Sequence, residues 1–367
     1  MTEKDVLSIL KLQSIPFIGD VIAKKLIHHC GSASAVFEER SSALLKIGGI
    51  GSVTIKYLND KKYAGLAEKE LKFIQERNIN YSYFKDEDYP DQLKHCFDSP
   101  ILIFKRGDIH LKNKKIISIV GTRQMSSYGA LFCEKFIEEI APLNPVIVSG
   151  FAYGIDITAQ KAAIKNNLQT IGCLAHGLNQ IYPRSHKKYC SEVESNGGFI
   201  TDFWSTSHPE RENFLRRNRI IAGLSEATIV IESAGKGGSL VTADIAHSYH
   251  KEVFAVPGRT TDNYSLGCNN LIKSQKAHML TSAADLVYML GWNIEETKQN
   301  IIQKQLFVEL DENEEAIYNF LKMNGKELLD IIALQCQLPV HKAATVLLGM
   351  ELKGVIRPLP GKLFEVV

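Results

Sequence analysis

The sequence has seven cysteines but no CxxC pair and no Cys/His ligand spacing. An odd, unpatterned set of thiols excludes a disulfide framework and a structural zinc site, and it points to a reducing compartment. No window stays apolar for the length of a membrane span, and MTEKDVLSIL lacks a basic stretch leading into a continuous apolar run. A cytoplasmic location with no membrane partner is therefore expected. Net charge is also scarce: 43 Lys and Arg against 41 Asp and Glu leave +2. That excludes a uniformly basic nucleic-acid coat and leaves room for a local patch. Enzyme signatures are thin. There is no GxxxxGK[ST] phosphate loop, no GxGxxG with an acidic ribose partner and no HExxH. GKGGS at 235–239 lacks both the spacing and the Lys-Ser pair of a phosphate loop. No cofactor and no metal is expected. Asp156 reads as a helix cap rather than a base, and His176, His186 and His208 read as polar loop histidines.

What is present is the composition of a globular chain, 45% hydrophobic and 23% charged. At 367 residues it is long enough for two or three domains. The first segment, 1–85, carries an internal echo, IPFIGDVIAKKLI from Ile15 and IGGIGSVTIKYL from Ile47. Each has a glycine turn followed by a short amphipathic helix, the pattern of a helix-hairpin-helix. Such turns expose backbone N–H groups that hold phosphates without reading sequence. The competing reading is two helical hairpins that pack on each other.

From Ile116 short β-branched runs alternate with helical runs: IISIV, PVIVSG, TIGCLA, GGFIT, ATIVIES, EVFAVPG and AHML. Continuous apolar strands of this kind are buried on both faces of a parallel sheet. The fold class is α/β, a doubly wound, mostly parallel sheet over 86–291. Residues 292–310 read as a polar linker and 311–367 as a winged helix, with its third helix from about Val340 to Leu352. That helix is mostly apolar, which favours protein docking over DNA reading.

In an open parallel sheet, ligands bind at the carboxyl ends of the strands. Three glycine-rich strand ends gather there. The first strand ends in Gly121, Thr122 and Arg123, the second in Ser149 and Gly150 ahead of Asp156. The fifth ends in a turn with Gly237, Gly238, Ser239 and Thr242. Glycines admit close backbone approach, and helix starts favour anions. Between them lies NFLRRNR, with Phe214, Arg216, Arg217, Asn218 and Arg219. Arg216 and Arg219 share one helix face and Arg217 points elsewhere. Guanidinium forks suit phosphate oxygens, and Phe214, Tyr153 and Tyr182 could stack on bases. The competing readings are a solvated arginine face paired with Glu210 and Glu212, and a Phe214 that packs in the core.

IVGTRQMSSYG, IVSGFAYGIDITAQKAA, GLNQIYPRSHKKY, NFLRRNRIIAGLS, GKGGSLVTADIA, VFAVPG and LGCNNLIKSQKAHML together resemble the DprA/Smf family of DNA-processing proteins. The resemblance covers the α/β segment in order and spacing. It implies an extended Rossmann-like core flanked by an N-terminal helical domain and a C-terminal winged helix. It implies a non-enzymatic mediator that binds single-stranded DNA, protects it and loads the RecA recombinase during natural transformation, as a homodimer. DNA contacts would fall on Arg123, Phe214, Arg216, Arg217, Asn218 and Arg219. Gly121, Thr122, Ser149, Gly150, Gly237, Gly238, Ser239 and Thr242 would form the phosphate pocket. Two departures stand out: Leu215 replaces the proline of NFPxRNR, and the segment before the last strand is KAHML. The rival reading is a nucleotide phosphoribohydrolase of related architecture. Its PGGxGTxxE turn carries a glutamate where this chain has Thr242, so the proton chemistry lacks its agent.

Overall fold

The computed structural model describes residues 2–292, 310–359 and 361–366, and the expected linker falls almost wholly outside them. The chain divides into two compact units, 1–293 and 294–367.

In the first unit, the seven apolar runs read from the sequence form strands β3 (Ile116–Gly121), β4 (Val146–Ser149), β5 (Thr170–Cys173), β6 (Gly197–Thr201), β7 (Ala227–Glu232), β8 (Glu252–Ala255) and β9 (His278–Met279). Two further strands, β1 (Asn80–Tyr83) and β2 (Leu102–Gly107), extend the sheet. The order is β1-β2-β6-β5-β4-β3-β7-β8-β9. The β1–β2 and β2–β6 pairings are antiparallel and the others parallel. The sheet therefore begins at Asn80, ahead of the boundary at 85/86 expected from sequence, because β1 pairs with β2 and not with the helices.

Alternate residues of each buried strand face opposite layers. On one side Ile117, Ile119, Ile147 and Ile229 meet helices Ser127–Ile140 and Ile155–Lys165 through Phe136, Ile137 and Ala159. Helix Ala283–Met289 joins this layer through Ala283 and Leu286, so it covers the sheet and turns Tyr288 outward. On the other side Val120, Val148 and Ile171 meet helices Arg211–Leu224 and Gly238–Ser248 through Ile220, Ile221, Leu224, Ala243 and Ala246. Each fully buried aliphatic side chain contributes roughly 1.5–3 kcal/mol. The polar Ser118 is tolerated because its hydroxyl donates to the Ile221 carbonyl at 2.6 Å, pinning the arginine helix to β3.

The N-terminal helices form two hairpins, with helix Asp20–Cys30 starting after Gly19 and helix Ser52–Leu58 after Gly51. Val6, Ile9 and Leu10 share one core with Leu102, Phe104 and Phe199, so this module packs on the antiparallel end of the sheet. The first hairpin is not free to meet a phosphate. Asp20 occupies its helix start, accepting from Ile101 N–H at 2.9 Å and pairing with Arg219 at 2.8 Å. The second turn has Gly49 in a left-handed conformation, φ 97°, and stays exposed.

The second unit is a winged helix. Helices Glu312–Asn324, Leu329–Gln335 and Val340–Leu352 pack through Ile317, Leu321, Ile332 and Leu347, with strands β10 (Glu327–Leu328), β11 (Ile356–Leu359) and β12 (Leu363–Val366) forming the wing sheet. Val340 and Leu348 on the third helix stay exposed. No single helix among the described residues is long and apolar enough to cross a membrane.

Arg219 ties the first unit together. Its guanidinium meets Asp202 at 2.6 Å and Asp20 at 2.8 Å and donates to the Asp98 carbonyl. Burial opposes its charge, but Asp202 and Asp20 more than offset that, and its pKa is raised. Removing one partner strands buried charge. Arg219→Ala should cost about 3–5 kcal/mol in urea unfolding, whereas exposed Arg216→Ala should cost under ~0.5 kcal/mol. Equal effects of the two variants would contradict this role.

Candidate nucleic-acid interface

β3 has β4 on one side and β7 on the other, so the order of the parallel strands reverses at β3. Crevices at such a reversal are the usual ligand sites of open α/β sheets. Here it holds a cavity of about 470 Å³, lined by Gly121 at the end of β3 with Thr122 and Arg123 after it, Asp156 from the helix after β4, Phe214, Arg217 and Asn218 from the arginine helix on the other face, and Gly237, Gly238, Ser239 and Thr242 after β7. A second chamber of about 690 Å³ adjoins it and shares Arg123, Phe214, Lys236 and Gly237, adding Tyr182 and Arg211. Both volumes fall within the roughly 300–1,000 Å³ of small-ligand pockets.

The chambers meet at Phe214. Its half-buried ring lies 5.4 Å from the Arg123 guanidinium carbon and 5.8 Å from that of Arg217, with Tyr182 edge-on at 5.6 Å. The ring is thus at a mouth and not in the core. Arg123 and Lys236 are exposed. Among the described residues the arginine ion pairs belong to Arg106, Arg219 and Arg357, which leaves Arg123 and Arg211 without a carboxylate partner.

Arg217 forms the floor. It is 4% exposed and donates to the carbonyls of Gly150 at 2.7 Å and of Cys173, and through Nε to Asn218 Oδ1 at 3.3 Å. Burial pulls its pKa down, opposed first by Asp156. Asn218 in turn donates to the Gly238 carbonyl at 3.3 Å, fastening the arginine helix to the start of helix Gly238–Ser248. That helix has Gly237 as N-cap with no side-chain cap; the Leu240 N–H donates back to the Gly237 carbonyl at 3.2 Å, while the Gly238 and Ser239 N–H groups have no hydrogen bond among the described residues. Thr242 donates to the Gly238 carbonyl at 3.3 Å and Ser239 to Ser233 at 2.9 Å, so both hydroxyl protons are engaged within the protein.

Several expected residues sit elsewhere. Ser149 is buried, with its hydroxyl on the Ile119 carbonyl at 2.6 Å, and Gly150 lies beneath Arg217 and Asp156. A Cβ on Gly150 would come within 2.7 Å of both charged groups, so glycine is needed for packing, not for a ligand. The helix start after Gly154 is filled by protein too: Ile155 N–H donates to the Thr122 carbonyl at 3.2 Å. The second glycine turn is therefore not a phosphate cradle. Arg216 and Arg219 do share a helix face, as the spacing predicts, but that face turns toward the N-terminal module. Arg217, set apart by the same spacing, is the arginine that reaches the pocket. His176 and His186 are buried, each with Nδ1 on a backbone carbonyl, Gly177 at 2.9 Å and Phe151 at 3.0 Å. Burial lowers both pKa values. His176 lies in the loop after β5, as read from the sequence, and His186 in the short helix Arg184–Tyr189.

Lys236, Arg211, Gln124 and Tyr264 line the chambers and were missed from sequence. The signal for Lys236 was its place inside the glycine turn, discarded when the phosphate-loop spacing failed. Tyr264 hydrogen-bonds Gln124 across the rim.

With this geometry in place, the family model described as DNA recombination-mediator protein A matches residues 80–291, and the DprA winged helix domain matches 308–362. The chain belongs to the DNA recombination-mediator protein A family, DprA/Smf. It is 34% identical to Protein Smf of Escherichia coli (strain K12), over 80% of this chain and 79% of that protein. It is 38% identical to DNA processing protein DprA of Bacillus subtilis (strain 168), over 59% of this chain and 73% of that one. The X-ray structure of DNA processing protein A from Streptococcus pneumoniae superposes with TM-score 0.67 at 28% identity, covering 78% of this chain and 98% of that one. DNA processing protein A from Helicobacter pylori, described for a unique single-stranded DNA binding mode, superposes with TM-score 0.52 at 30% identity, covering 57% and 95%.

Asp156 is the one carboxylate lining the inner chamber, accepting from Ala152 N–H at 3.4 Å. Burial raises its pKa above 3.8, with Arg217 pulling the other way. A raised folded-state pKa means the folded protein holds a proton the unfolded chain has lost, so this contribution falls as pH rises through the folded value. Asp156→Asn should therefore gain stability relative to wild type in thermal melts as pH rises from 3.8 through the raised folded-state value. A stability difference that shifts the other way with pH would contradict the assignment.

Proposed function

We propose that the paired chambers bind single-stranded DNA and that the protein is a recombination mediator rather than an enzyme, protecting incoming strands and loading RecA during natural transformation. The observation that carries the reading is Phe214, set between Arg123 and Arg217 at the mouth of a cleft that ends on an uncapped helix start. Bases stack on exposed rings whatever their sequence, while cations and helix N–H groups take the phosphates. Duplex DNA keeps its base faces stacked and gains nothing from the ring. The similarity to the Helicobacter pylori protein, described for its single-stranded DNA binding, supports the same reading. The phosphoribohydrolase alternative gains no support: Thr242, where that chemistry needs a glutamate, has its hydroxyl on a backbone carbonyl.

Three or four phosphate contacts give a slope of about −2 to −3 for log affinity against log salt on a single strand. Arg123→Ala and Lys236→Ala should each weaken binding to all sequences alike and flatten that slope by ~0.7. Phe214→Ala should cost about 1–3 kcal/mol. Anisotropy titrations with single-stranded and blunt duplex oligonucleotides at two salt concentrations check this, and equal affinity for both forms would overturn it.

A mediator must hold DNA and recruit the recombinase together, and a homodimer offers two clefts to one strand, raising apparent affinity through effective concentration. The wild-type protein is expected to sediment as a dimer and to accelerate RecA assembly on strands coated by single-strand-binding protein. A strict monomer with length-independent affinity would rule out the bivalent mechanism while leaving the cleft intact.

A further inference from the structure

The arginine helix is a ridge with a second groove on its far side. This groove, about 380 Å³, runs between the sheet and the N-terminal module and is lined by Gly19, Lys69, Phe203, Trp204, Ser207 and Arg216, among others. It shares with the first cleft an exposed arginine set over a phenylalanine ring, although here the ring, Phe203, is buried. Arg216 is exposed, lies outside the arginine ion pairs of the described residues, and sits 5.1 Å from the centre of the Phe203 ring. Lys69 stands exposed on the opposite wall. The acidic groups that border the groove are committed within the protein. Asp20 and Asp202 pair with Arg219, and Glu70 accepts from the backbone N–H and the hydroxyl of Ser205. The free charge offered outward at the rim is thus that of Lys69 and Arg216.

The two clefts flank the same helix through adjacent residues. The outer chamber is bounded by Pro209, Arg211 and Leu215, and the next residue, Arg216, lines the groove. Exposed Leu215 forms the crest between them. We infer that the groove between the arginine helix and the N-terminal module is a second contact site for the same single strand. A strand leaving Phe214 passes Arg211, crosses Leu215, and lays further phosphates against Arg216 and Lys69. This rests on the single-stranded DNA reading of the first cleft and deepens it: the footprint of one protomer exceeds the glycine pocket. Sequence-independent single-strand sites span about 4–16 nucleotides per binding module, so short and long oligonucleotides separate the two sites.

The test is anisotropy with oligothymidylates of about 6 and about 16 nucleotides. Arg216→Glu and Lys69→Glu are expected to leave the short oligonucleotide within about twofold of wild type and to weaken the long one on the order of tenfold. Arg216→Ala should flatten the salt slope for the long one by ~0.7 and leave that for the short one unchanged. Arg123→Ala should weaken both. As a readout independent of charge changes, the emission of Trp204, taken as wild type minus Trp204→Phe, should change with the long strand only. Unchanged affinity of the long strand in both reversal variants, with Arg123→Ala still effective, overturns the second site and leaves the first cleft standing. Loss of long-strand binding in Arg216→Glu with Arg123→Ala silent overturns both, because the track would no longer be continuous.

Discussion

The site depends on one buried cation. Arg217 lies under the carboxyl ends of β4 and β5, its guanidinium on the Gly150 and Cys173 carbonyls and its neighbour Asn218 on the start of the following helix. Taking an ion out of water costs several kcal/mol, offset only where its donors are satisfied. Two strand-end carbonyls, the Asn218 side chain and the nearby Asp156 carboxyl provide that environment. The requirement fixes the helix. If the guanidinium is to reach both strand ends, Phe214 one turn earlier must come to the mouth, and Gly150 must lack a side chain because Arg217 and Asp156 already fill its space.

The same helix divides its arginines by direction. At 3.6 residues per turn, neighbours in sequence diverge by about 100°. Arg217 turns inward to the strand ends, Arg219 turns to the carboxylates of Asp20 and Asp202, and Arg216 remains exposed over Phe203. Three like charges in four residues would repel one another in an exposed segment. Here two are absorbed by the structure, and the exposed cations that line the chambers approach from other elements, Arg123 after β3 and Lys236 after β7.

The inner parallel strands were legible because both of their faces are buried, which writes them as continuous β-branched runs such as IISIV and ATIVIE. The antiparallel strands β1 and β2 were not. NYSY is short and mixed, and the connection to LIFK, 84–101, carries the helix Asp91–Lys94, so no hairpin turn announces the pairing. In the site, the glycine turn at 237–238 and its placement at the sheet edge were readable from spacing. The arginine roles were not. Helical periodicity tells which residues share a face, but it does not tell which face meets the sheet. One of the two carboxylates that claim Arg219 comes from Asp20, far away in the chain. The turn at Ser149 and Gly150 has the composition of a phosphate cradle. It is filled because β3 and β4 are neighbours, which brings the Thr122 carbonyl onto the next helix start.

Hydrogen–deuterium exchange with and without a saturating oligothymidylate tests the central claim most directly, because it reports where the strand lies without altering a residue. The account predicts slowed exchange in 121–124, 211–219 and 235–243, the segments that frame the two chambers around Phe214. Protection absent from those segments and confined to the second hairpin turn at 47–52, or to the winged helix at 340–353, would contradict it.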